Sequence, residues 1–165
     1  LYALGPMVEG YFGHWRFLAI YLLGGLFGSV ASYAFSSAIS AGASGAIFAL
    51  AGAITVYFLR YHENFGRRGR AILQNMAVII GSNLIFGFTA QGIDNAGHIG
   101  GLIGGAAVAW GLMPRYATPA VIRLGRQPLA AEARPLFETL WVLLMAALLV
   151  FGVQLAGQVT QPLFF

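Results

Sequence analysis

Apolar runs recur along this chain, several near the roughly 20 residues that an α-helix needs to cross a bilayer. The first, Leu1–Val8, is too short to span and reads as the tail of a helix whose beginning is missing, so the chain is taken as a fragment. It ends at Glu9, Gly10 and Gly13, and a short polar link containing His14 leads to Arg16. Phe17–Phe35 is the first complete span. Ser36–Ala43 follows as an uncharged loop of small residues, able to dip below the membrane surface. Ser44–Leu59 is a short span, about 24 Å at 1.5 Å per residue. Arg60–Arg70 reads as a polar, arginine-dense loop. Ala71–Thr89 is a span carrying Gln74, Asn75, Ser82 and Asn83, more polarity than a lipid-facing helix needs, and such groups tend to face a bundle interior or a wet cavity. Ala90–Ala96 is a brief loop with Asp94. Gly97–Met113 is a glycine-rich span closed by Pro114-Arg115, a proline-bearing linker follows, and Leu136–Ala156 is a last span, poorer in small residues and therefore peripheral.

Small residues fall in register on three of these spans. Gly24, Gly28 and Ser32 recur every fourth residue. Gly45, Ala49 and Ala53 do the same on the next span, and His98, Gly101 and Gly105 share a face of a third. Such rows let helix backbones approach closely in lipid, where packing replaces the hydrophobic effect.

Composition agrees with this pattern. Hydrophobic residues make up 59% and charged residues 8%, against roughly 25% charged in an ordinary soluble domain. Mean hydropathy is +0.78. The sequence is that of an all-α, polytopic helical membrane protein. A net charge of +4 raises the question of nucleic acid, but the basic residues lie between apolar runs and not along an amphipathic face, which excludes that class. All 9 are arginines: Arg16, Arg60, Arg67, Arg68, Arg70, Arg115, Arg123, Arg126 and Arg134. Alternating the spans from side to side places every one of them on the same side, which the positive-inside rule makes cytoplasmic. With no cysteine, disulfide and thiolate chemistry are unavailable.

The same alternation puts Ser44 and His98 at the non-cytoplasmic ends of their helices, at similar depth. A serine at a helix start has unpaired backbone N–H groups and the positive end of the helix beside it, both suited to an oxyanion. Its hydroxyl needs a base, and imidazole is the usual one. Gly42 and Gly45 bracket the serine and permit a sharp turn into the helix. Close approach of the Gly45 and Gly101 rows would bring hydroxyl and imidazole together, with Phe48 able to stack on the ring. No carboxylate is placed for a third member, since Asp94 is loop-borne, so the constellation suggests a Ser44–His98 dyad. Read singly, a serine between glycines is most simply a packing residue, and a membrane histidine would serve equally in proton relay or metal binding. His14 and His62 lie on the other side and cannot join His98 in a metal site. Gln74, Asn75 and Asn83 read as interhelical glue, and Glu63, Glu132 and Glu138 as solvated or interfacial charges.

At these residues the sequence resembles the rhomboid intramembrane serine proteases. Gly42-Ala43-Ser44-Gly45 is similar to the family's Gly-x-Ser-Gly motif. His98, Gly101 and Gly105 match its Ala-His-x-x-Gly-x-x-x-Gly motif, with Gly97 in place of the alanine. Phe48 stands where the family carries an aromatic on the histidine, and Glu9 matches the glutamate ending its second membrane helix. The resemblance implies a six-helix core, incomplete here at its N-terminus, with one additional transmembrane helix. In residue ranges this is a partial core over 1–115, a cytoplasmic linker over 116–135, the extra helix over 136–157 and a tail over 158–165.

The resemblance further implies a serine endopeptidase that cuts transmembrane segments of other membrane proteins, with Ser44 as nucleophile and His98 as general base. The Ser44 amide would be one oxyanion donor and Gly42, Gly45, Phe48, Gly101 and Gly105 would support the site. No cofactor, metal or nucleic acid is implied; the partners are substrate helices and the lipid bilayer. Ala71–Thr89 would be a lateral gate and Ala90–Ala96 a cap over the site. The family's first helix, first external loop and side-chain oxyanion donors would lie upstream of Leu1. A bacterial inner membrane, with the site opening to the non-cytoplasmic side, is the expected setting. The competing readings are a catalytically silent rhomboid-like protein that binds client helices, and a small transporter with His98 as proton carrier, which would favour repeated halves that the sequence does not show.

Overall fold

A computed structural model describes residues 1–36, 43–90, 92–116 and 132–160 of the 165-residue chain. Its helices are α1 (Gly5–Phe12), α2 (His14–Phe35), α3 (Ser44–Thr89), α4 (Asn95–Leu112) and α5 (Pro135–Thr160). The stretches His14–Phe35, Ser44–Thr89 and Pro135–Gln158 are long and apolar enough to cross a membrane. The chain is a polytopic helical membrane protein, as its hydropathy pattern implies.

Two expected breaks shrink to one residue each. The link from Glu9 to Arg16 is only Gly13, at φ +84°, whose N–H closes α1 on the Glu9 carbonyl at 2.8 Å before α2 begins at His14. The loop expected over Arg60–Arg70 is not a loop. The chain stays helical through those arginines, and within the 46 residues of α3 only Gly66 departs from helical geometry, at φ 51° and ψ −128°. Arginine and glutamate are good helix formers, so a dense run of charge does not interrupt a helix. A glycine in a conformation closed to other L-residues does.

The chain folds back at Gly66, as the start of α4 shows by touching both ends of α3. Gly101 lies against the backbone of Gly45, while Asn95 Nδ2 donates to the Leu84 carbonyl at 3.0 Å. The two halves of α3 therefore run antiparallel. Tyr57 and Phe58 anchor the first half, stacking with Tyr11 of α1 and Phe65 near the fold (Tyr11–Tyr57 centroids 4.7 Å apart, Phe58–Phe65 5.1 Å). The second half is thinly packed: only Gly69, Met76 and Gly87 beyond the fold are buried.

Polar residues on that half correct an expectation. Gln74, Asn75, Ser82 and Asn83 are exposed and do not face the bundle interior. Ser82 Oγ and Asn83 Nδ2 donate to the Ile79 carbonyl of their own helix, at 3.2 and 2.8 Å. Short polar side chains can satisfy themselves on the preceding turn, so polarity does not by itself select the inward face. Glu138 is a second correction. It is buried (4% exposed) and accepts from Arg16 Nη2 of α2 at 2.7 Å and from Nε at 3.3 Å. Glu63 and Glu132 are exposed, as expected.

At the centre lies α4, between α2 and α3. Its glycines lower its apolarity, so it is not among the stretches that qualify as spans by composition, although it keeps one exposed face with Ile99, Ile103 and Trp110. The small-residue rows meet there. A Cβ on Gly24 would strike Ala49 and Gly105, one on Gly28 the Gly97 carbonyl, one on Gly105 the Ala49 backbone, and one on Gly52 the Leu102 carbonyl. Outside this seam, α5 covers α2 and α4, with Trp141 Nε1 donating to the Ala107 carbonyl at 3.2 Å.

At one end of the bundle Arg16 meets Glu138, Tyr61 Oη donates to the Pro114 carbonyl at 2.9 Å, and Arg134 Nη2 donates to the Met113 carbonyl at 3.0 Å. The arginine-bearing helix ends thus gather together. Arg123, Arg126, most of the linker 116–135 and the end of the tail lie outside the described residues.

Candidate active site

At the opposite end the first turns of α3 and α4 lie side by side. Ser44 is the first residue of α3 and is exposed. Among the described residues no side chain caps this helix, and its first backbone hydrogen bond runs from Ile47 N to the Ala43 carbonyl at 3.0 Å. The N–H groups of Ser44, Gly45 and Ala46 therefore have no acceptor within the helix. A hydroxyl beside unpaired amides and a positive helix end is well placed for chemistry that builds negative charge on oxygen.

His98 sits in the first turn of α4, and its side chain is nearly enclosed, at 8% exposed. Phe48, one turn into α3, lies flat against it, with ring centroids 4.3 Å apart and planes 8° from parallel. Asp94 starts α4 by accepting from Gly97 N at 2.9 Å. Its carboxylate does not hydrogen-bond His98 Nδ1, which is buried with no hydrogen-bond partner among the described residues. An imidazole held on one face by an aromatic ring keeps its nitrogens for other partners.

The glycine seam sets the relative height of the two helices. Gly101 has no room for a Cβ against the backbone of Gly45, and a Cβ on Gly45 would come 3.4 Å from the Gly97 carbonyl. Ser44 precedes Gly45 and His98 follows Gly97, so both belong to one layer of the bundle. No hydrogen bond joins them among the described residues. Gly105 meets Ala49 one turn deeper. Gly42 lies outside the described residues. His14 pairs with Glu9 at 2.5 Å, and His62 Nδ1 lies 3.0 Å from the Leu59 carbonyl, both remote from His98.

Three contributors take roles beyond those read from the sequence. Asp94 serves as the cap that fixes where α4 begins, for which an aspartate three residues before Gly97 is a recognisable signal. Gly52 makes a further close approach to Leu102 and Ala106; it lies one position off the row through Gly45, Ala49 and Ala53. Gly87 fits beside Asn95, a contact between segments that no local pattern reveals.

Comparison with known proteins adds an independent finding. Residues 1–115 match the Rhomboid domain family. The chain is 52% identical over 114 residues to the rhomboid protease GluP of Bacillus subtilis, covering 68% of this chain and 22% of that protein. It is 42% identical over 103 residues to RHOMBOID-like protein 7 of Arabidopsis thaliana, covering 62% and 32%. With the rhomboid protease AarA of Providencia stuartii it shares 32% over 139 residues, covering 69% and 49%. The chain thus spans less than half the length of each of these relatives. No solved structure matches it.

Proposed function

The chain belongs to the rhomboid family, and on that premise we propose that it is the larger part of an intramembrane serine endopeptidase core. In this reading Ser44 Oγ attacks the carbonyl carbon of a peptide bond in a substrate's transmembrane segment. His98 takes the hydroxyl proton and then delivers it to the leaving amine, leaving an acyl-enzyme that water, deprotonated by the same imidazole, hydrolyses. The Ser44 amide donates to the oxyanion of each tetrahedral intermediate. Phe48 orients the imidazole, while Gly45, Gly101 and Gly105, with Gly42 before the serine, let the helix starts meet. No metal or cofactor takes part. The arginine-bearing end faces the cytoplasm by the positive-inside rule, so the site opens to the other side, in a bacterial inner membrane.

The observation that carries this reading is the parallel stack of Phe48 on His98 at 4.3 Å, one turn from an exposed serine at a helix start. The absence of a Ser44–His98 hydrogen bond among the described residues favours a second reading, a silent member that binds client helices. Catalytic hydrogen bonds often tighten only when substrate is bound, so the peptidase reading stands first.

The test is labelling of the membrane-reconstituted chain with a fluorophosphonate probe, alongside Ser44→Ala and His98→Ala. Labelling of the parent, with each variant reduced by about 10³-fold or more, is the expected result. Equal labelling of all three would mean another nucleophile. A folded parent that stays unlabelled would shift the assignment to client binding.

A further inference from the structure

The arginine-bearing end of the bundle holds a feature that peptide hydrolysis does not use. A cavity of about 120 Å³ opens where the cytoplasmic-side ends of α3's first half, α4 and α5 converge, and Arg60, Arg115 and Arg134 all line it. No carboxylate lines it, and none of these arginines forms an ion pair among the described residues. Arg16, at the same end but outside the cavity, differs in being neutralised by Glu138.

The walls are aromatic. Arg60 lies 5.9 Å from the ring centroids of both Tyr61 and Trp110, and Arg134 lies 4.9 Å from that of Phe137. Cation–π contacts of this kind favour guanidinium groups beside the rings while leaving N–H groups to donate. Arg134 gives one arm to the Met113 carbonyl at 3.0 Å, but its Nε is buried and has no hydrogen-bond partner among the described residues. One enclosed guanidinium donor on Arg134 beside the exposed guanidinium groups of Arg60 and Arg115, with no ion pair to any of them among the described residues, is a set that an anion would complete.

We propose that this cavity binds the phosphate of an anionic membrane lipid headgroup. Planar guanidinium groups match phosphate oxygens in bidentate geometry. The position favours a lipid over a soluble anion: Trp110 is half exposed at the outer face of α4, at the level where tryptophan marks the headgroup layer. Basic pockets between transmembrane helices on that side are suited to headgroups. The bound lipid would bridge α5 to the rest of the bundle. This inference rests on the membrane character of the fold and is independent of whether Ser44 is a nucleophile.

The test uses native mass spectrometry of the full chain released from detergent containing phosphatidylglycerol or phosphatidylcholine. Expected is one retained phosphatidylglycerol per chain and no retained phosphatidylcholine, with Arg60→Gln and Arg134→Gln each lowering occupancy at least about tenfold. An Arg67→Gln/Arg68→Gln double variant, altered at exposed positions outside the cavity, should keep the lipid. Arg60 makes no hydrogen bond among the described residues, so its variant carries the test if Arg134→Gln fails to fold. Equal loss in the Arg67/Arg68 double variant would reduce the effect to diffuse surface charge and overturn the site. Displacement by inorganic phosphate at equal concentration would overturn the lipid assignment in favour of a soluble anion.

Discussion

At the residue scale, the contact most open to test is the one between Phe48 and His98. Their parallel rings at 4.3 Å leave the imidazole with few orientations, and an aromatic pair of this kind contributes about 0.5–1.5 kcal/mol beyond burial. If Ser44 and His98 form the proposed peptidase dyad, Phe48→Leu should keep the helix seam but release the ring, lowering turnover by about three- to tenfold. Phe48→Tyr should retain most activity, and a steady-state assay on a reconstituted transmembrane substrate would read the difference. Gly105 is a residue of another kind, contributing by having no side chain. A Cβ there would collide with the backbone of Ala49, so Gly105→Ala should destabilise the bundle by about 1–3 kcal/mol. Gly81→Ala, where nothing lies within 4 Å of an added Cβ, should be neutral or slightly stabilising; thermal unfolding in detergent would compare the two.

At the scale of elements, the rows through Gly24 and Gly28, Gly45 and Ala49, and Gly101 and Gly105 were legible in the sequence because close helix packing leaves a four-residue signature. Helix existence was legible as well, since apolar length is a strong signal. That the chain reverses over Arg60–Arg70 was legible too, since the alternation of spans requires it; that it does so at one glycine within continuous helix was not, because the density of arginines drew attention from Gly66. Its φ of 51° with ψ of −128° costs a non-glycine residue about 1–3 kcal/mol. Gly66→Ala should therefore lower stability by that amount although no atom lies within 4 Å of the added methyl, and Arg67→Ala beside it should not. Chemical denaturation of both variants would separate backbone strain from loss of charge. The inward-facing reading of Ser82 and Asn83 failed for a related reason: hydropathy records that a residue is polar, not whether its own helix can satisfy it. For the candidate site, the helix ends that carry Ser44 and His98 could be read from spacing and alternation, whereas the enclosure of His98 and the fit of Gly87 beside Asn95 depend on contacts between segments distant in sequence.

At the scale of the whole molecule, the pairing of Arg16 with Glu138 fastens the last helix to the second across 122 positions of sequence. Distance in sequence hid it, and Glu138 read as a solvated charge for that reason. The side chains of Arg16 and Glu138 are 13% and 6% exposed, so removing one leaves the other enclosed and unmatched. Arg16→Met should cost about 3–5 kcal/mol, while the Arg16→Met/Glu138→Met double variant should recover most of that loss. A double-mutant cycle on unfolding free energy would measure the coupling.

The glycine seam between α3 and α4 has a bearing on precision. Where backbone meets backbone there are no rotamers to choose among, so the contact has almost no soft degrees of freedom. A slip by one residue would drive Leu50 or Leu102 into a gap sized for hydrogen atoms. The two helices consequently mesh like the teeth of a gauge, with one permitted setting, and tolerance at the rim where Ser44 and His98 stand is inherited from positions deep in the bundle that touch neither.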